Sequence, residues 1–184
     1  EKEPAQPGPE VLKLEGLSVK DQFGQIKVDD VDLSVRSGEV LGIAGVEGNG
    51  QSELVEAIAG LQRASAGQIF LSGQDITTWS PLRIRNVGFG LVPEDRHRRG
   101  LVLDYSVADN LILGVHGKEP FVRHGFVRSE RAIAENAERL IAEYDVRPPV
   151  SSQPVKSLSG GNQQKVIVAR EFSQNPDLLI CSQP

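Results

Sequence analysis

The tightest constraint on this chain is a junction of three short segments. Val40-Leu41-Gly42-Ile43-Ala44 carries no polar side chain and is read as a strand of a sheet buried on both faces. It runs straight into Gly45-Val46-Glu47-Gly48-Asn49-Gly50-Gln51-Ser52, and Ser52 to Leu61 has helical composition. Strand, glycine loop, helix is the setting in which backbone N–H groups cradle a phosphate, the helix N-terminus adding its positive end. The loop has the frame G-x-x-x-x-G-K-[ST], with Gln51 where the lysine stands.

Gly45, Gly48 and Gly50 permit close approach of backbone to phosphate, and Ser52 offers a hydroxyl to Mg²⁺. With Asn49 and Gln51 they are the candidate nucleotide-binding residues. Lysine brings a formal charge to the β and γ phosphates; Gln51 brings a neutral amide. Hydrogen bonds to charged groups contribute roughly 1.5–3 kcal/mol against ~1 for neutral pairs. The exchange therefore costs on the order of tenfold in triphosphate affinity, and more in transition-state stabilisation. Weak binding of ATP or ADP survives this loss; good catalysis does not. Glu47 adds an unfavourable charge if its carboxylate turns inward.

A second glycine motif follows after about a hundred residues: Leu158-Ser159-Gly160-Gly161-Asn162-Gln163-Gln164-Lys165. Ser159 is placed to cap the following helix, and Gly160-Gly161 leave its first turn bare. Two glycines there weaken a helix by ~1 kcal/mol each, which an ordinary capped surface helix has no reason to accept. Asn162, Gln163 and Gln164 supply amides. Such a helix start aims N–H donors at an anion approaching from outside.

The run LSGGNQQK resembles the signature motif of ATP-binding-cassette (ABC) proteins, and its NQQK ending resembles importers of sugars and nucleosides with two cassettes fused in one polypeptide. The resemblance extends over nearly all of Val11 to Pro184. It implies an α/β P-loop NTPase core with an antiparallel β portion and a helical subdomain, ending after the Walker B strand. It also implies a dimer in which ATP is sandwiched between one cassette's phosphate loop and the other's signature. Ser159, Gly160 and Gly161 would then touch the γ-phosphate of a nucleotide held by the partner cassette.

Other positions follow from the same resemblance. Leu178-Leu179-Ile180-Cys181-Ser182-Gln183-Pro184 is similar to a Walker B strand, which usually ends Asp-Glu-Pro. Ser182 replaces the aspartate that supports Mg²⁺, and Gln183 the glutamate that orients water. Loss of a general base costs roughly 10²–10⁴-fold in rate. Leu91-Val92-Pro93-Glu94 is similar to the segment ending in the Q-loop glutamine, with Glu94 in its place. With Gln51, Ser182 and Gln183 all departing from type, no catalytic set is intact. Asp95-Arg96-His97-Arg98-Arg99-Gly100 extends an EDRxRxG pattern of second cassettes, either a solvated basic turn or a contact near the permease. Phe23 sits near where an aromatic stacks on adenine in related cassettes; covering the core edge is the alternative.

Composition bounds the rest. At 184 residues and 39% hydrophobic, the chain supports one sizeable core. A net charge of −5 gives no electrostatic case for nucleic acid. One cysteine, Cys181, rules out an internal disulfide and suits a reducing compartment. His97, His116 and His124 lack metal-ligand spacing and are expected in surface loops. No apolar run is long enough to span a bilayer, so membrane association needs a partner. The absence of methionine, even at position 1, reads as a piece of something longer.

Alternation predicts strands over Val11 to Lys20 and Val28 to Val35, the second with Val31, Leu33 and Val35 on one face. Short strands are expected at 68–72, 87–92 and 177–182, and helices at Ser129 to Tyr144 and Leu158 to Ser173. Ser80-Pro81 reads as a helix start, and Ser106 with Asp109 as a capping pair. Residues 1–10 read as a linker or tail and 11–184 as a partial nucleotide-binding domain, with a helical subdomain at about 93–157.

The expectation is a second, C-terminal cassette on the cytoplasmic membrane face. It would donate its signature to a first cassette and couple to permease subunits served by a solute-binding protein. The GVEGNGQS loop leans toward nucleosides. The alternatives are a cassette that still turns over ATP slowly, a DNA-repair or translation type, and an interaction module without nucleotide. Motif separation argues against the repair type, and four basic residues are too few for nucleic acid.

Overall fold

In a computed structural model, residues 7–46 and 48–182 are described, and the chain divides into two units, Glu1–Phe89 and Gly90–Pro184. The first unit is built on a four-stranded antiparallel sheet. Strand β1 (Glu10–Lys20) pairs with β2 (Ile26–Arg36) as a hairpin, with Leu14 opposite Leu33. Leu12 and Leu14 are buried, and so are Leu17 and Val19, one residue out of step with strict alternation. The register shift between Leu14 and Leu17 absorbs that extra residue and returns the apolar side chains to the same face.

Helix α1 (Gln51–Ile58) follows the glycine loop and buries Leu54, Ala57 and Ile58. It stops at Gly60, whose φ of 70° suits glycine; a methyl there would lie 2.7 Å from Ile84 Cδ1. Strand β3 (Ala66–Leu71) pairs with β1, and β4 (Gln74–Asp75) pairs with β3, giving the order β2-β1-β3-β4. Helix α2 (Pro81–Asn86) opens on proline, as expected, although the Ser80 side chain makes no cap bond. Strand β5 (Phe89–Val92) leads into the second unit.

Val40 to Ala44 departs from expectation. The segment is not a strand, and Val40 is 97% and Ile43 56% exposed. An extended segment is held by a ladder to a neighbour, and none of the described strands pairs with it. Its apolar sequence reports a buried environment that the described residues do not supply.

The second unit is mainly helical. A π-helical turn, Arg96–Gly100, precedes α3 (Val107–Leu111). Ser106 Oγ caps α3 by accepting from Asp109 N at 3.0 Å and donating to Asp109 Oδ2 at 2.6 Å. Burial alone would raise the Asp109 carboxyl, but the Ser106 hydroxyl and Arg128 guanidinium together hold it below the ordinary carboxylate range. A short hairpin, β6 (Val122–Arg123) and β7 (Val127–Arg128), comes before α4 (Glu130–Glu143). On α4, Ile133, Ala137, Leu140 and Ile141 form the buried stripe read from the sequence, with Tyr144 half-buried at its end.

Helix α5 (Gly160–Ser173) packs Val166, Ile167 and Ala169 against Ala137 and Leu140 of α4 and Val107 and Leu111 of α3. Each buried Leu or Ile contributes about 1.5–3 kcal/mol, so this cluster fixes how α5 is held. Strand β8 (Leu178–Cys181) pairs with β5, and Ser182 N extends the pairing to Val92 O at 2.9 Å.

Candidate functional site

The glycine loop lies in the first unit. Gly50 occupies the cap position of α1 at φ 93°, a left-handed conformation that admits glycine. A methyl on Gly50 would collide with the Lys27 carbonyl of β2, so the loop is pressed onto the sheet. A methyl on Gly45 would collide with Gln51 Nε2, because the Gln51 side chain folds back across the loop. Asn49 N bonds Val46 O at 3.2 Å and closes a turn, Gly48 is left-handed, and Ser52 is exposed on the first turn of α1. Glu47 lies outside the described residues.

Phe23 sits in the β1–β2 turn, its N–H donating to Asp21 Oδ1 at 2.8 Å. The ring is 80% exposed and covers no core edge.

The second motif lies in the other unit. Ser159 is the cap residue of α5, yet its side chain makes no cap bond; its Oγ accepts from Asn162 Nδ2 at 3.0 Å. Asn162 Oδ1 accepts from Arg147 N at 2.8 Å. Gln163 differs from expectation, since its side chain turns inward and is buried. Its Nε2 donates to Val155 O and Leu158 O, and its Oε1 faces His97 Nε2 at 2.9 Å. The amide is spent on holding the helix, because a buried amide without partners is costly.

What remains bare is backbone. First-turn N–H groups have no intrahelical acceptor, and a methyl on Gly161 would meet nothing within 4 Å. His97, expected in a surface loop, is exposed yet fixed by Gln163.

Glu94 is exposed just beyond β5, and Ser182 follows β8, so the paired strands bring these two positions to neighbouring strand ends. Gln183 lies outside the described residues. Asp95 starts the basic turn, its Oδ1 accepting from His97 N and Arg98 N at 3.0 Å each. Those N–H groups, Arg98 first, hold its carboxyl below the ordinary range.

Three groups that sequence reasoning missed anchor this region. Asn110 is fully buried and bonds Val102 through both its oxygen and its nitrogen. Arg170 and Glu171 form a buried ion pair at 2.7 Å. Arg170 Nη1 donates to Gly100 O at 2.8 Å, and Glu171 Oε2 accepts from Leu91 N. The sequence signal was slight: two adjacent charges inside an apolar helical stripe.

The family model described as ABC transporter matches residues 28–184. The chain belongs to the ABC transporter family. Across its whole length it is 48% identical to the guanosine import ATP-binding protein NupO of Bacillus subtilis and 48% to the nucleoside import ATP-binding protein NupA of Lactococcus lactis. It is 42% identical to the glucose import ATP-binding protein TsgD13 of Haloferax volcanii. The chain spans 36% of the length of NupO and of NupA.

Among solved structures, a nucleotide-free ABC-transporter cassette aligns with a TM-score of 0.75 at 25% identity, over 95% of this chain and 69% of that one. The dimeric cassette MJ0796 bound to ADP and Pi aligns at 0.78 and 22% identity, over 94% of this chain and 74% of that one. The fold is that of an ABC cassette.

ABC cassettes bind ATP or ADP with Mg²⁺. The glycine loop fits a phosphate: its backbone is uncovered at Gly48, and the Gln51 amide lies across Gly45 as a neutral donor. Gly48, Gly50, Gln51 and Ser52 would hold the group, which would supply the phosphoanhydride bond. Fit to the hydrolytic chemistry is poor, because the loop side chains carry no cation and Ser182 no carboxylate. Among the described residues, no group of three or more His, Cys, Asp or Glu is arranged to hold a metal.

Proposed function

We propose that this chain is the second cassette of a fused two-cassette ATPase that drives import of nucleosides, with simple sugars the neighbouring class. Its own ATP site is degenerate, and its task is to lend the α5 tip to the ATP site of the first cassette. The observation that carries this reading is the bare first turn of α5, where Gly161 has open space above it and Ser159 spends no side-chain bond on capping. An anion approaching that tip meets free N–H donors and the positive end of a helix.

Gln51, Glu94, Ser182 and Gln183 support the degenerate half of the reading. Import is supported by the names of the relatives, and nucleosides by the higher identity to NupO and NupA than to TsgD13. The partners are then the first cassette, permease subunits and, through them, a solute-binding protein. The place is the cytoplasmic membrane face, peripherally, and no described helix is long and apolar enough to cross a membrane. Nucleic acid is no partner. The domain reading is a tail at 1–10 and a cassette at 11–184, with its helical subdomain at about 93–157.

The test is ATP turnover by the full-length polypeptide assembled with its permease. Gly161→Asp places a carboxylate where the neighbour's phosphate would come, and turnover is expected to fall at least a hundredfold, a typical loss for a group acting in the transition state. Gln51→Ala is expected to leave turnover within about twofold. The opposite pattern would assign hydrolysis to this cassette's own loop.

A further inference from the structure

The two glycines at the α5 tip face different surroundings. A methyl on Gly161 meets nothing within 4 Å, whereas a methyl on Gly160 would lie 2.7 Å from Arg96 Nη2 and 3.3 Å from Arg96 Cζ. The Arg96 guanidinium therefore lies directly against the Gly160 backbone, in space that a side chain would take. Arg96 Nε is buried and finds no partner among the described residues.

The whole turn bears on α5 in the same way. His97 Nε2 meets Gln163 Oε1 at 2.9 Å, one turn further along the helix. At the far end of the turn, a methyl on Gly100 would come within 2.5 Å of Ile167 Cδ1, and Arg170 Nη1 holds Gly100 O. Contacts at residues 160, 163, 167 and 170 follow one helical face. Asp95 fixes the start of the turn through its two N–H bonds. The turn is thus a splint along the signature helix, with Arg96 at the tip.

We infer that Arg96 is a positioning residue for the signature: Gly160 is glycine to seat the Arg96 guanidinium, and Gly161 is the glycine left open to the neighbour. This rests on the proposed role of the α5 tip and deepens it. Planarity matters, because a flat guanidinium lies on a backbone where an ammonium does not.

The test is a double-mutant cycle on ATP turnover in the full-length polypeptide with its permease. The guanidinium is the far end of a flexible side chain, so a methyl on Gly160 displaces it; Gly160→Ala and Arg96→Ala remove the same contact and are each expected to cost about threefold. The decisive variant is the pair. Both substitutions remove one contact, so the double variant is expected to lose no more than either alone, about threefold. If Gly160 served phosphate approach instead, its methyl would obstruct whether or not Arg96 is present. A double variant as poor as the product of the two single losses overturns the inference.

Should Gly160→Ala fail to fold, the Gly161 amide NMR signal replaces it. Arg96→Ala is expected to shift that signal, and substitution of the exposed Arg98 is not; an unmoved signal with Arg96→Ala overturns the inference. Gly161→Asp separates the two levels. If it leaves turnover unchanged, the signature role itself falls. If it abolishes turnover while residues 96 and 160 show no coupling, only the positioning role falls.

Discussion

At the scale of single residues, the glycine loop keeps its left-handed turns while Gln51 stands where the motif carries a lysine. Gly48 and Gly50 retain the left-handed backbone of the loop, and the side chain lying across it is an amide. Gln51→Lys restores one charge and is expected to tighten ATP binding by about tenfold, measured by calorimetry. On the proposed reading Gln51→Lys alone is not expected to confer hydrolysis, because Ser182 and Gln183 still offer no carboxylate; robust turnover by this single variant would show that the loop alone was limiting. Asp95 supplies a second prediction. Its folded-state value is lowered, so the stabilisation it gives is present above the ordinary value of about 3.9 and is lost as pH falls through the lower folded value. The His97 and Arg98 amide signals are expected to hold their positions down to about pH 4 and to move below it. In Asp95→Ala they should occupy the displaced positions at neutral pH.

Among elements, α5 carries the most. Its tip is bare and its flank is splinted by the turn at Arg96–Gly100. Its last turn is tied to β5 and Gly100 through Glu171 and Arg170. Breaking a buried pair leaves an uncompensated charge, so Arg170→Met is expected to cost about 3–5 kcal/mol, read from the denaturant midpoint. A loss under 1 kcal/mol would mean that the pair is solvated. Most of this helix was legible in the sequence, as were α4 and β1, because period and capping residues are local signals. Ser159 stands at the cap position without a side-chain cap bond, and the inward turn of Gln163 was not legible. Both side chains are claimed by partners that sequence spacing does not reveal: Asn162 for the first, and Val155, Leu158 and His97 for the second. The seat of Arg96 on Gly160 was hidden for the same reason, since 64 positions separate two residues that touch.

On the scale of the whole molecule, the informative misfit is Val40 to Ala44. The sequence reads as a strand covered on both sides, and the structure leaves it unpaired with Val40, Leu41 and Ile43 exposed. Periodicity reports the environment for which a segment is suited, and pairing depends on what lies beside it. The 184-residue polypeptide is therefore expected to bind an apolar dye such as ANS, which senses contiguous exposed hydrophobic surface. The Val40→Lys, Ile43→Lys double variant should lose most of that signal. Surface substitutions away from packed features change stability by within about 0.5 kcal/mol each, so its unfolding midpoint should hardly move. A drop of several kcal/mol would instead mean that both side chains are packed in solution, and the exposed reading of the segment would have to be abandoned.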